Sequence, residues 1–292
     1  MSRTSAEILT QPETWTWALS RLPAFAAALP APGERVAVIG CGTSSYVAEA
    51  YARVREEREA GETDAVVASE FTARRPYDRV IAISRSGTTT EVVRALNALP
   101  DDLRSTAISA VAASPVARAA QASVILDAAD EESVVQTRFA TTTLALLRAH
   151  VGEDLSGVID EARGAVERPL PVDPAAFDRF VFLGTGWAVG MAHEAALKMR
   201  EAALAWSESY PSMEYRHGPI SLAGPGTLVW HLGVADADLI RDVDATGATV
   251  VLGDLDPMAE LILIQRTAVA LALARGLDPD RPRNLTRSVV LS

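Results

Sequence analysis

The sequence predicts an α/β fold made of two parallel sheets, each flanked by helices, and three observations carry that prediction. Short apolar runs alternate along the chain with segments of helical character, the arrangement that lays successive strands parallel. The run Arg35-Val-Ala-Val-Ile-Gly40-Cys-Gly42 is echoed, at a constant offset of 144 residues, by Arg179-Phe-Val-Phe-Leu-Gly184-Thr-Gly186. Both copies end in Gly-x-Gly and lead into an Ala-rich helical stretch, so a duplicated strand-turn-helix unit is the economical reading.

Residues 1–34 contain Pro12 and a stripe of Trp15, Leu19, Leu22 and Phe25 at helical spacing, expected to be a packing helix ahead of the first domain. A first domain over 35–170 takes strands at 35–39, 65–67, 79–84, 106–111 and 124–126, with a helix at 91–99. Residues 152–178 hold Pro169, Pro171 and Pro174 among acidic residues, which predicts a helix followed by an extended linker and a boundary near Leu170. A second domain over 171–292 takes strands at 180–183, 227–232 and 249–252, and helices near 188–206, 236–245 and 261–275. The polar, turn-forming stretch 208–219 is expected to be a loop carrying His217.

Composition narrows the function. A chain of 292 residues with 49% hydrophobic and 22% charged residues has the make-up of an ordinary globular protein. Its net charge of -11 argues against nucleic-acid binding, which rests on Lys and Arg neutralising phosphates. Residues 1–20 lack an apolar signal core, and no stretch is expected to reach 18 uncharged apolar residues, so neither export nor a membrane span is expected. The lone Cys41 cannot close an intramolecular disulfide and fits a reducing compartment, so the expected location is the cytoplasm.

Chemistry is expected at the carboxyl ends of the strands, where loops turn into helix N-termini and free N–H groups favour anions. Gly40-Cys-Gly-Thr43-Ser44-Ser45 and Ser84-Arg85-Ser86-Gly87-Thr88-Thr89-Thr90 fall there, each combining glycine with clustered hydroxyls. Glycine permits close backbone approach, hydroxyls donate to oxygens, and Arg85 adds a charge-assisted donor, so a phosphate is the expected ligand. Taken singly, each turn reads equally well as a helix cap. Gly40-x-Gly42 lacks the third glycine of a dinucleotide fingerprint, Ser45 standing in its place. No lysine follows the glycines as in a phosphate-binding P-loop, and the four histidines show no metal-ligand spacing, so neither a nucleotide nor a metal cofactor is expected. In 194–201, Glu194, Lys198 and Glu201 share a helical face at spacings of four and three. A surface ion-pair ladder is the plainer reading of that spacing. The adjoining polar loop with His217 favours a site.

Gly40-Cys-Gly-Thr-Ser44, Ser84-Arg-Ser-Gly87, the 194–201 cluster, His217-Gly-Pro219 and Pro282-Arg-Asn-Leu285 together resemble the SIS (sugar isomerase) family, in particular the isomerase half of glucosamine-fructose-6-phosphate synthases. The resemblance runs from about residue 7 to the end of the chain. It implies two tandem SIS subdomains with a phosphosugar site between them, in a homodimer. By the match, Thr43, Ser44, Ser84, Ser86 and Thr89 are phosphate and sugar contacts. Glu201 is the carboxylate that moves a proton between C1 and C2, Lys198 its support, and His217 the group for ring opening, serving the partner subunit's site. Three departures stand out: no glutaminase domain with its nucleophilic cysteine; Arg85 and Thr88 where the family often has Gln and Glu; and Arg287 where the synthases carry a Schiff-base lysine. Guanidinium stays protonated and forms no imine, so Arg287 is expected to bind an anion instead. The expected activity is an amino-sugar-6-phosphate deaminase or ketose-aldose isomerase acting on a phosphorylated sugar or amino sugar. A fructosamine-phosphate deglycase and a noncatalytic phosphosugar-binding regulator are the alternatives. Regulators of this kind usually carry a DNA-binding domain, for which the 34 residues ahead of Arg35 are too few.

Overall fold

The computed structural model describes residues 1–291 and divides into two compact units, each with its own all-parallel sheet. Helix α1 (Arg3–Leu9) does not belong to the unit that follows it in sequence; Met1–Leu9 joins Ser156–Leu285, and Thr10–Leu155 joins the tail that starts at Thr286.

The unit of residues 10–155 is built on β1 (Val36–Gly40), β2 (Thr63–Val67), β3 (Arg79–Ile83), β4 (Arg104–Ser109) and β5 (Ala122–Ile125), in the order β2-β1-β3-β4-β5. Both central strands, β1 and β3, are buried along their whole length, which is why they read as unbroken apolar runs rather than alternating ones. Ala37, Ile39, Val80 and Ala82 face Val92, Ala95 and Leu96 of α4 (Thr90–Asn97) and Val116 of α5 (Pro115–Ala119). Alternation along a strand turns Val36, Val38, Ile81 and Ile83 to the opposite face, covered by α3 (Thr43–Glu57) and α6 (Arg138–His150). Helix α2 (Gln11–Phe25) packs on α6 through its buried Trp15, whose indole N–H donates to Thr141 Oγ1 at 2.9 Å. Two threonine hydroxyls at this contact are satisfied in turn: Thr141 donates to Gln11 Oε1 at 2.7 Å and Thr142 to Thr14 at 2.8 Å.

The second unit has β6 (Arg179–Gly184), β7 (Trp206–Pro211), β8 (Thr227–Leu232) and β9 (Thr249–Leu252) in the order β7-β6-β8-β9, the same winding as the first four strands of the other sheet. Helices α8 (Ala188–Ala203) and α10 (Pro257–Ala274) pack on each other, with α7 (Ser156–Glu167) and α1 against α10. Helix α9 (Ala237–Ala245) sends Leu239 and Val243 onto Val181, Leu183 and Val229 on the other face.

Most expected strands form within a few residues of their predicted ends, and two expectations need correcting. Strand β7 lies where a helix end and a polar loop were expected: Trp206-Ser-Glu-Ser-Tyr-Pro has no apolar run because it is an edge strand, paired only with β6. The 144-residue offset already carries 63–67, the span of β2, onto 207–211. The division of the chain does not fall near Leu170 but at Leu155/Ser156, because α7 packs on α10; residues 1–34 and 286–291 are likewise shared out differently. Helix α10 has the length and mean hydropathy to cross a bilayer, but it carries Glu260 and Arg266, and 72% of it is buried within its unit, as a core helix is.

Candidate functional site

Strands β1 and β3 are neighbours whose helices leave to opposite faces, so their carboxyl ends form the crevice where open parallel sheets take ligands. After β1, the chain must turn at once into α3. A Cβ on Gly40 would lie 2.7 Å from Ser44 Cβ, and Gly42 has φ +55°, so both positions call for glycine. The turn buries Thr43 and Ser44 at the start of α3, a helix whose N-cap is Gly42 and which no side chain caps. After β3, Gly87 at φ +65° lets the chain pass Ser114: a Cβ there would come within 2.0 Å of Ser114 Oγ. Ser84 and Ser86 are buried, the Ser84 and Thr89 hydroxyls lie 3.2 Å apart, and α4 also starts without a side-chain cap. Two helix N-termini and five hydroxyls expected as ligands, those of Thr43, Ser44, Ser84, Ser86 and Thr89, thus gather at one sheet edge.

Arg85 is a correction. Its guanidinium is buried, and both terminal nitrogens are taken within the protein: it pairs with Glu131 at 3.5 Å and donates to the carbonyls of Ser133 (2.9 Å), Val134 (3.1 Å) and Arg287 (3.0 Å), while Nε has no partner. It ties the turn after β3 to the loop before α6 and to the tail, and is not turned out as a phosphate donor. Glu131 is itself held by the backbone N–H groups of Thr137 and Arg138 at 2.6 and 2.9 Å and by the Thr137 hydroxyl at 2.7 Å. The tail brings Arg287 close to this turn, but its guanidinium pairs with Asp130, so its charge is already matched.

In the other unit, α8 carries the acidic cluster. Alanines at 188, 192, 195, 196, 202 and 203 let the helix pack closely, and the face with Glu194 and Lys198 is buried with them. Lys198 Nζ lies 3.1 Å from Glu194 and 2.6 Å from Glu201, with side-chain exposures of 0% for Glu194, 1% for Lys198 and 19% for Glu201. Burial alone would lower the Lys198 pKa, but the two carboxylates outweigh it and hold the ammonium above its ordinary value. Two carboxylates share one cation, and Glu201 is the member that keeps access to solvent. A surface ladder would not bury its lysine; this is an internal ion triad. His217 lies just after a turn of 3-10 helix, Ser212–Arg216, with its backbone N–H on Glu214 O at 3.0 Å; it is exposed, and neither a hydrogen bond nor an ion pair links it to the triad.

Sequence reasoning missed Asp130, Glu131 and Ser288, and the contact that joins Ser288 to Thr88. The first two follow β5 and so lie at the same carboxyl edge, which was the available signal. Thr88 Oγ1 and Ser86 Oγ lie 2.8 and 3.0 Å from Ser288 Oγ, a contact across 200 residues that no local pattern announces. Among the described residues, no group of three or more His, Cys, Asp or Glu is placed to hold a metal ion.

Fold and turns together define an α/β protein with two glycine- and hydroxyl-rich turns at a switch in strand order. Residues 31–151 match the family model of the SIS domain. It is similar to the glutamine–fructose-6-phosphate aminotransferases (isomerizing) of Caldanaerobacter subterraneus, at 28% identity over 88% of the chain and 52% of the relative, and of Xanthomonas campestris, at 30% over 88% and 52%. The chain spans about half the length of these curated relatives. Among solved structures, glucosamine-6-phosphate deaminase from Thermotoga maritima superposes with a TM-score of 0.87 at 26% identity, over 99% of this chain and 100% of that one. Tagatose-6-phosphate ketose/aldose isomerase from Escherichia coli shares the fold, with a TM-score of 0.83 at 20% identity, over 100% and 96%.

Proposed function

We propose that the chain is a phosphosugar-processing enzyme that acts on a hexosamine 6-phosphate: it opens the sugar ring, moves a proton between C2 and C1, and releases ammonia and a ketose phosphate. The observation that carries this reading is the buried Glu194–Lys198–Glu201 triad with its one accessible carboxylate. Proton abstraction next to a carbonyl needs a positioned base, and Lys198 fixes the Glu201 side chain while offsetting its charge. The hydroxyl-rich turns after β1 and β3 support the phosphate end, through Thr43, Ser44, Ser84, Ser86 and Thr89 and the two helix N-termini. Anchoring the phosphate orients the remote carbons. The similarity to a glucosamine-6-phosphate deaminase over the whole of both chains points to the same substrate class.

In this scheme Glu201 takes the C2 proton of the open-chain amino aldose and returns it at C1. The resulting C2 imine adds water and expels ammonia, so one water is consumed for each ketose phosphate formed. His217, exposed on its turn, is assigned to ring opening in the site of a second copy, the enzyme being a cytoplasmic homodimer. Plain aldose-ketose isomerisation uses the same groups without the loss of nitrogen.

The test is a screen of hexosamine 6-phosphates, hexose 6-phosphates and amine-linked sugar phosphates, with ammonia and ketose measured separately. Glucosamine 6-phosphate should yield both in equal amounts. In Glu201→Gln the substrate should still bind while turnover falls about 10²- to 10⁴-fold, and exchange of the carbon-bound hydrogen with heavy water should vanish with it. Retained exchange in that variant removes Glu201 from the reaction. Ketose without ammonia from every substrate assigns the chain to isomerisation, and tight binding without turnover makes it a sensor.

A further inference from the structure

We infer that the groove between α1, α7 and α10 is a binding site for a small carboxylate with an apolar tail, its charge met by Arg266 and its tail by the apolar walls. All three helices belong to one unit. Positions 266, 269, 270 and 273 of α10 recur at helical spacing and so share one face, which Ile8 and Leu9 meet from α1. Val166 near the end of α7 and Leu170 just after it close the side, leaving a cavity of about 500 Å³. Pockets for small organic ligands span roughly 300 to 1,000 Å³, with apolar walls and a few placed polar groups.

The charge of Arg266 has no acid to match it. Its Nη1 donates to Ala165 O and Arg168 O, both at 2.6 Å, and these carbonyls at the end of α7 fix the guanidinium without neutralising it. Among the described residues no carboxylate pairs with it, and its Nε and Nη2 donate to no protein acceptor. Neither nitrogen is sealed off from solvent. Burial pushes the Arg266 pKa down and no neighbouring charge pushes it back, yet a guanidinium stays protonated at neutral pH. Arg168, by contrast, is paired with Asp254 at 2.6 Å. Nε and Nη2 share one edge of the guanidinium, and such an edge takes both oxygens of a carboxylate.

The rest of the groove selects the tail. Ile8 and Val269 lie deep, while Leu273 at the same face keeps 61% of its surface in water. Covering that apolar surface is favourable in proportion to its area. A carboxylate without a tail would have only a partly exposed ion pair, which is worth little, and a tail without a charge would leave the half-buried guanidinium unmatched. A second copy docked through the same face would bring another unmatched arginine instead of an acid.

The experiment is a ligand-observed NMR titration of the full chain with octanoate, set against octanol, octylammonium and acetate as controls for charge and tail. Octanol and acetate should bind about tenfold more weakly than octanoate, the scale of one hydrogen bond to a charged group, and octylammonium more weakly still. Arg266→Gln should lose about tenfold for octanoate and bind octanoate and octanol alike. Because Arg266 also holds the end of α7, Ala270→Phe supplies a second arm: it fills the groove from a half-buried position and should abolish octanoate binding with the parent's circular dichroism and melting temperature retained. Octanol binding as tightly as octanoate, or full affinity in Ala270→Phe, overturns the proposal. So does a parent chain that binds no octanoate, whether its groove is covered by a second copy, seen as a dimer that Ala270→Phe splits, or by anionic lipid vesicles. No sugar phosphate enters these titrations, so failure of the sugar-phosphate reading leaves their result standing.

Discussion

The same edge of the two sheets is put to different uses. At the carboxyl ends of β1 and β3, α3 and α4 begin without side-chain caps, and the serine and threonine hydroxyls are clustered around their first turns. At the matching ends of β6 and β8 the polar groups satisfy one another. Ser212 Oγ lies 2.6 Å from His231 Nε2, 3.1 Å from Thr185 Oγ1 and 3.0 Å from Gly184 O, and the Asp236 carboxylate caps α9 by accepting from Leu239 N at 2.9 Å. A carboxylate already seated at a helix N-terminus repels a second anion. Yet the glycines that begin both edges do the same work: a Cβ on Gly40 or Gly184 would strike the first turn of the following helix. Gly-x-Gly is thus a packing signal common to both sheets, and what sets the first sheet apart is the cluster of hydroxyl residues placed after it.

Substitutions at matched positions break or sharpen this contrast. The largest effect is expected at glycine. Gly87→Ala places a Cβ against Ser114 in a left-handed backbone and should cost about 3 kcal/mol in urea unfolding, with loss of phosphate binding. Gly233→Ala, at φ +81° but 3.6 Å from its nearest neighbour, should cost only ~1 kcal/mol. Equal costs would remove the steric account of the first turn. Next comes the hydroxyl pair: Ser84→Ala should weaken glucosamine 6-phosphate binding about tenfold, whereas Thr185→Ala should leave it unchanged. Loss in both would show that both edges take part in anion capture.

The smallest effect concerns how each unit buries a carboxylate. Glu131 meets Arg85, but Glu260, equally buried, meets the Trp230 indole N–H at 2.8 Å, with lesser help from the Leu255 backbone and the charge of Arg168. Burial raises the Glu260 pKa, and the Trp230 hydrogen bond only partly opposes it. A carboxyl raised in the folded state lends its full stability below its unfolded pKa and loses it as pH rises through the folded value. Glu260→Gln keeps the acceptor for Trp230 without the charge. Its melting temperature should match the parent's near pH 4 and exceed it by a few degrees at pH 8. A variant less stable than its parent at pH 8 would mean that the ionised carboxylate has a stabilising partner.

The sequence made the strand-helix alternation legible because buried parallel strands write themselves as apolar runs, as at 36–39 and 80–83. Strand β7 escaped because an edge strand with one partner needs no such run. The turns holding Ser84, Ser86 and Thr89 were legible from their place after a strand. The role of Arg85 was not, since a guanidinium in a polar turn reads as a donor to ligand until its partners, Glu131 and three carbonyls, are known, and these lie 46 to 202 residues away. The Glu194, Lys198 and Glu201 spacing predicted a shared face, but spacing is blind to depth, and only burial separates an internal triad from a surface ladder.

Each unit also borrows a segment from the opposite end of the chain. Residues 286–291 complete the unit of 10–155, while α1 packs on α10 in the unit made last. During synthesis, then, the first sheet emerges early but cannot join Ser86 and Thr88 to Ser288 until residue 288 has been translated, and α1 must wait, unpacked, for its partner helix. A cut at Leu155 would leave two incomplete pieces, so assembly draws on segments from both sides of that point and is not a property of either half.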